Sequence, residues 1–309
     1  MVATALTNIR IVLVEPAGPL NVGSVARVMK NMGLRQLILV NPQCDHLGEE
    51  ARLMAVRAAD ILETAKVVES LPAALVGCVR AIATTGDDSR SHPTKLEDPA
   101  SALPWLLEAP SALIFGREDC GLTNAELNRA QRLIRIPSSD AYTSLNLAQA
   151  VAICCYELYR EEGRRKKEEG RRKREEGSSA ADFVADLTDV TDVTDATRRR
   201  KKSEGIFSQS PPLPISASPT PPSSAPLENL EGYYQQLETL LLKIGYLQPQ
   251  TAASRMEKFR RLYNRAYPTV DEVAMLRGTL RQTDWAIKNY GRSPVSDTVD
   301  ALPENPADS

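Results

Sequence analysis

Between residues 9 and 160 the chain alternates apolar runs of strand length with segments of helical period. No other feature narrows the fold as much. Residues 9–14, 37–40, 79–84, 112–115 and 133–136 are apolar almost throughout. They lack the in-out alternation of a strand with one wet face, so they read as strands buried on both faces. Segments near 22–32, 50–58, 70–77, 124–130 and 146–160 have helical periodicity and fall between or after those strands. The pattern predicts an α/β domain over 1–160, a parallel sheet with covering helices. Thr123 and Glu126 have the spacing of a capping box, and Gly33 stands where a left-handed helix end is expected.

Beyond residue 160 the composition changes. Residues 161–174 contain two near-identical heptads, Glu-Glu-Gly-Arg-Arg-Lys-Lys and Glu-Glu-Gly-Arg-Arg-Lys-Arg. Glu161 and Arg165, like Glu162 and Lys166, stand four apart and can extend the preceding helix as a charged rod. Gly163 and Gly170 count against that extension. A Thr-Asp-Val repeat (188–195), a basic run (198–202) and a Pro/Ser-rich stretch (210–226) follow. No core can be built from such a segment, so 161–226 reads as a disordered linker. Order returns in 227–292 as a small helical bundle. Leu230, Tyr234, Leu237, Leu241 and Ile244 share one face of its first helix. Its second helix, near 252–266, sets Met256, Phe259, Leu262 and Tyr263 opposite Arg255, Arg261 and Arg265. Its third opens on a capping box, Thr269 to Glu272. Residues 293–309 read as a disordered tail.

Composition excludes several classes. No apolar run reaches the length of a membrane span, and the N-terminus has no basic-then-apolar secretory pattern. The five cysteines form no C-x-x-C pair and only two histidines, His46 and His92, accompany them. That argues against a disulfide framework or a metal site and for buried free thiols in a cytoplasmic protein. The net charge of −2 hides a segregation: 227–292 carries ten Lys and Arg against seven Asp and Glu. A basic helical segment keeps nucleic acid open as a partner.

Three short blocks fall where an apolar run gives way to a loop or helix. They are Asn-Val-Gly-Ser-Val-Ala-Arg (21–27), Leu-Ile-Phe-Gly-Arg-Glu-Asp-Cys-Gly-Leu (113–122) and Ile-Arg-Ile-Pro-Ser-Ser-Asp-Ala-Tyr-Thr-Ser-Leu-Asn-Leu-Ala (134–148). None carries the G-x-G-x-x-G of a dinucleotide fold, which excludes a dehydrogenase of that type. A serine hydrolase built on Ser144 fails for want of a G-x-S-x-G elbow and a nearby histidine. In order and residue type the blocks resemble the three signature motifs of the SPOUT RNA methyltransferases, in the TrmH-like (SpoU) branch. The resemblance implies methyl transfer from S-adenosyl-L-methionine to a ribose 2′-hydroxyl of RNA. It also implies a deep trefoil knot made by the second and third blocks, a cofactor site within it, and a homodimer.

Such chemistry needs the sulfonium methyl aligned with the incoming oxygen, a hydroxyl that loses its proton, and an anchored phosphate. On the resemblance, Asn21, Arg27, Glu118, Ser144 and Asn146 form the catalytic set. Thr84, Gly116, Ile136, Ser144, Leu145 and Asn146 hold the cofactor. Arg27 is either the base or, because a guanidinium has a pKa above about 12 and rarely gives up its proton, a positive charge beside the developing alkoxide. Glu118 can hold Arg27 or the cofactor's amino group, or be a solvated loop charge. Ser144 and Asn146 can also cap the helix that follows. Gly23 permits close backbone approach, with Ser24 and Ala26 small enough to keep the site open.

Within the branch, the opening 8–15 and the C-terminal stretch 230–278 resemble bacterial enzymes that methylate cytidine or uridine at position 32 of the tRNA anticodon loop. The partner implied is tRNA, not DNA or membrane, with Arg255, Arg261 and Arg265 as its contacts. Two aspartates beside Arg90 leave its RNA role open. The alternatives are a sibling acting on ribosomal RNA and a non-catalytic RNA-binding member.

Overall fold

A computed structural model of the chain describes residues 5–86, 95–139, 141, 143–188 and 224–290. Arg90, His92, the basic run 198–202 and the tail 293–309 lie outside them, as does 189–223 of the expected linker. Seven strands form one parallel sheet: β1 (Ile9–Val14), β2 (Gln36–Val40), β3 (Lys66–Val68), β4 (Arg80–Thr84), β5 (Leu96–Glu97), β6 (Ser111–Phe115) and β7 (Arg132–Ile134). Their order is β3-β2-β1-β6-β4-β7-β5, with β1 paired to β2 on one side and β6 on the other. The five apolar runs supply the five inner strands. The edge strands β3 and β5 are too short to carry a pattern, and the sequence does not reveal them.

Among the described residues ten α-helices accompany the sheet: α1 (Pro19–Asn31), α2 (Glu49–Ala55), α3 (Ala59–Glu63), α4 (Leu71–Leu75), α5 (Pro99–Ala102), α6 (Asn124–Leu127), α7 (Leu147–Thr188), α8 (Leu227–Lys243), α9 (Ala252–Ala266) and α10 (Val270–Tyr290). Pro19 opens α1 where its missing N–H costs nothing, and Gly33, at φ +76°, closes it with Leu34 N–H donating to Met29 O at 2.9 Å. The capping box at Thr123 forms in both directions, as does the one at Thr269. No helix among the described residues is long and apolar enough to cross a membrane.

Alternate side chains of each inner strand enter different cores. Ile9, Ile11 and Leu13 of β1 join Val22, Val25 and Met29 of α1 and Val151, Cys154 and Leu158 of α7. Val12 and Val14 face the other way. There they meet Leu71 and Leu75 of α4 and Leu127 of α6. The same cluster includes Leu230, Tyr233, Tyr234 and Leu237 of α8, Met256 of α9 and Val273 of α10. The C-terminal helices are therefore the outer layer over this side of the sheet. Polar contacts fix the seam: Leu227 N–H donates to Cys78 O at 2.8 Å, and Asn264 Nδ2 donates to Asn128 O at 3.2 Å. Glu231 is held by both Arg129 and Arg260. The Tyr267 ring packs on Trp105 with centroids 5.5 Å apart.

Three expectations change. Residues 161–188, read as the start of a disordered linker, continue α7 as helix despite Gly163 and Gly170. Glutamate-to-arginine pairs offset the glycines: Glu161 with Arg164 (2.7 Å) and Arg165 (3.2 Å), and Glu168 with Arg164 (2.9 Å). Leu262 and Ile244, placed on apolar faces by their spacing, are about half exposed. Arg260 instead turns inward to Glu231. Gly23, Ser24 and Ala26 do not open a site; Ala26 is fully buried, and a Cβ on Gly23 would collide with the carbonyl of Ala51 where α1 crosses α2.

Candidate functional site

The carboxyl ends of β1, β4, β6 and β7 meet where the strand order reverses, the usual place for a ligand crevice in an open parallel sheet. A cavity of about 440 Å³ opens there. Its walls come from the strand ends and the loops that leave them: Thr84, Thr85 and Gly86 after β4, the 115–122 segment after β6, and Ile136 and Thr143–Leu145 after β7. Leu147 and Ala150 of α7 complete it. The loop after β6 turns back on itself. Arg117 and Gly121 form an antiparallel bridge, and Gly116 lies so close to Gly121 that a Cβ at 116 would overlap its backbone.

One chain of hydrogen bonds joins the three sequence blocks. Asn146 Nδ2 donates to Asn21 Oδ1 at 3.0 Å, and Asn21 Nδ2 donates to Glu118 Oε1 at 2.9 Å. The Glu118 carboxylate also accepts the amides of Ala17 and Gly18, each at 3.1 Å. It therefore satisfies free N–H groups at the start of α1, where a negative charge is favoured. Burial works to raise the Glu118 pKa, but the bonds from Asn21, Ala17 and Gly18 outweigh it and hold the carboxyl below its ordinary value. Asn146 does two things at once. Its Oδ1 accepts from Ala148 N–H at 2.9 Å, capping α7, while its amide reaches Asn21.

Thr84, Gly116, Glu118, Ile136, Ser144 and Leu145 thus line the cavity, and Asn21 and Asn146 are tied to its wall through Glu118. Thr84 Oγ1 is turned to Ile114 O at 3.2 Å. Arg27 is not among the lining residues. It stands exposed on α1, with no hydrogen-bond or ion-pair partner among the described residues, and Glu118 does not hold it. On α9, Arg255 and Arg265 are exposed; Arg255 donates to Tyr246 O at 3.2 Å, and Arg261 lies 3.9 Å from Glu257. Of the thiols, Cys78, Cys154 and Cys155 are buried as expected, whereas Cys120 is exposed on the cavity wall. No cluster that could hold a metal occurs among the described residues.

Sequence reasoning passed over Arg117, which lines the cavity beside Glu118. It also missed Glu15 and Asn41, at the ends of β1 and β2. Glu15 accepts from Arg117 and, at 3.2 Å, from Asn41 Nδ2. Arg117 sits inside a block already singled out, so its position was a usable signal. Nothing in the sequence marks the other two.

Comparison with known proteins extends along the whole chain. Residues 8–156 match the model of the SpoU rRNA methylase family, and residues 228–292 match that of the tRNA methyltransferase TrmJ C-terminal domain. A tRNA (cytidine/uridine-2′-O-)-methyltransferase TrmJ of Pectobacterium atrosepticum is 35% identical over 279 residues, 89% of this chain and 96% of its own. A tRNA (cytidine/uridine/adenosine-2′-O-)-methyltransferase TrmJ of Pseudomonas aeruginosa is 35% identical over 299 residues, 93% of this chain and 99% of its own. The crystal structure of TrmJ from Z. mobilis ZM4 superposes with a TM-score of 0.66 at 24% identity, covering 89% of this chain and 98% of that one. That last likeness speaks to the fold.

Proposed function

The chain belongs to the TrmJ family of tRNA 2′-O-methyltransferases, and from that premise we propose that it methylates a ribose 2′-hydroxyl of tRNA. The nucleotide is cytidine or uridine at position 32 of the anticodon loop, and the methyl donor is S-adenosyl-L-methionine. The carrying observation is that both parts of the chain match family models while the second and third sequence blocks line one cavity, to whose wall Asn21 of the first is bonded. The match to the TrmJ C-terminal domain favours tRNA over ribosomal RNA.

The cavity fits the donor. Its volume falls within the roughly 300–1,000 Å³ usual for small-molecule sites. Phe115, Ile136, Leu145 and Leu147 offer apolar wall to a flat base, and Thr84, Thr85 and Ser144 bring polar groups to it. When bound, S-adenosyl-L-methionine supplies an electrophilic methyl on a positively charged sulfur. The chain's own residues do the rest. Glu118, fixed by Asn21 and two backbone amides, sets the wall nearest α1. Ser144 and Asn146 stand where the third block meets the cavity and orient the hydroxyl. Arg27 supplies positive charge to the RNA phosphate and the developing alkoxide.

A homodimer covers the exposed Leu20 of α1 and the exposed Ile153 and Tyr156 of α7, on the helix that carries Arg27 and the one that Asn146 caps. The trefoil knot of the family involves the loops after β6 and β7. Arg255, Arg261 and Arg265 on α9 contact tRNA, and the work is done in the cytoplasm. The test is transfer of labelled methyl to total tRNA and ribosomal RNA, with mapping of the ribose-methylated nucleotides. Label at position 32 of tRNA is the expected result. Label confined to ribosomal RNA overturns the substrate, and a protein that binds the donor but labels neither overturns the activity.

A further inference from the structure

Two consecutive residues of the loop after β6 are tied to the opposite loop by different partners. Glu118 takes the amides of Ala17 and Gly18 and the side chain of Asn21. Arg117 bonds instead to the Glu15 carboxylate and brings its Nε within 3.1 Å of Cys120 Sγ. Both oxygens of Glu15 are used, one by Arg117 and the other by Asn41 at 3.2 Å.

Glu15 and Asn41 close adjacent strands, and both have left-handed backbones, at φ +46° and +44°. Each is locked there by a ladder bond: Glu15 N–H donates to Val40 O and Asn41 N–H to Val68 O, both at 2.8 Å. Such a conformation is uncommon away from glycine and is strained. Two neighbours adopt it so that their side chains meet. Strain held by several surrounding contacts points to a role for the group it presents. That group is the Glu15 carboxylate, and what it holds is Arg117, which with Cys120 and Gly121 lines the cavity. The ion pair is partly withdrawn from water, its side chains 26% and 29% exposed, unlike an ordinary surface pair.

We propose that Glu15, braced by Asn41, is a positioning residue for the methyl donor. It acts through Arg117 to hold the 116–121 loop as one wall of the cavity. The inference rests on reading that cavity as the S-adenosyl-L-methionine site. Binding, not folding, is the quantity it governs.

The experiment is titration calorimetry of S-adenosyl-L-methionine and S-adenosylhomocysteine near neutral pH. It compares the wild type with Glu15→Gln, Arg117→Gln and the double variant, with ligand-free unfolding midpoints alongside. Each single change is expected to weaken binding about tenfold, and the double change no more than either, the signature of one coupled unit. Midpoints close to wild type are expected for all three. Affinities within about twofold of wild type in the single variants overturn the proposal, and so do losses that add in the double variant. Affinity losses that only mirror a lowered midpoint overturn it as well. A wild type that binds donor without methylating RNA overturns the activity and leaves the coupling to be judged on the binding data. A wild type that binds no donor overturns both.

Discussion

At Val56 the backbone takes φ +53° and ψ −105°, a region where a β-branched side chain is crowded, yet the side chain is 57% exposed and gives little packing in return. Val56→Gly relieves that strain and is expected to stabilise the fold by about 1 kcal/mol, read as a shift in the urea midpoint. An unchanged or lower midpoint would show the turn to be unstrained. Arg27 has no partner to lose among the described residues, so Arg27→Ala is expected to leave donor affinity and stability near wild type while cutting methyl transfer by about a hundredfold or more. Surviving activity would remove Arg27 from the reaction. Glu118 carries a pH dependence. Its folded pKa lies below the unfolded value, so the unfolded chain binds more protons as acid is added. The stability it contributes is complete above the unfolded value and is lost as pH falls through the depressed one. Glu118→Gln should therefore flatten the stability profile below about pH 5; a profile parallel to wild type would contradict the shift. Asn21, Glu118 and Asn146 were singled out through the family resemblance of the blocks that hold them. Glu15 and Asn41 were not, because what marks them is a backbone angle fixed by neighbouring strands.

Elements were legible in proportion to their length. The inner strands and the three C-terminal helices carry enough periodicity to be read directly, whereas β3 and β5, of three and two residues, carry none. The continuation of α7 past residue 160 escaped for another reason. Propensity counts the glycines at 163 and 170 against it, but the gain from successive glutamate-to-arginine pairs is spread over many residues. The first block misled in a similar way, since its small residues look like the floor of a site and turn out to be the contact between α1 and α2. Gly23→Ala tests this. Overpacking against the Ala51 carbonyl should destabilise the fold by roughly 1–3 kcal/mol while leaving donor affinity per folded molecule unchanged. A loss of affinity without loss of stability would return Gly23 to the site.

For the molecule as a whole, the boundary between domain and extension is less sharp than composition implies. An amphipathic pattern says that a helix buries one face, not against what, so the docking of α8 against α4 and the Cys78 carbonyl could not be read in advance. Removing residues 227–309 should uncover the apolar surface that the C-terminal helices bury around α4. The truncated protein is expected to be aggregated or lost from the soluble fraction, not merely weak for tRNA, as centrifugation and circular dichroism would show. A soluble, donor-binding truncation would prove the sheet independent of its outer layer. The arrangement also sets a delay during synthesis. The last sheet strand ends at Ile134 and its cover begins at Leu227. At about 5–20 residues per second the ribosome needs several seconds or more to make the stretch between them. Until then the apolar surface that α4 and α6 leave for the C-terminal helices has no lid of its own chain, and the stretch 161–226, rich in charge, proline and serine, offers it nothing adhesive. A nascent chain of this design depends on keeping that surface away from its neighbours until its last third emerges.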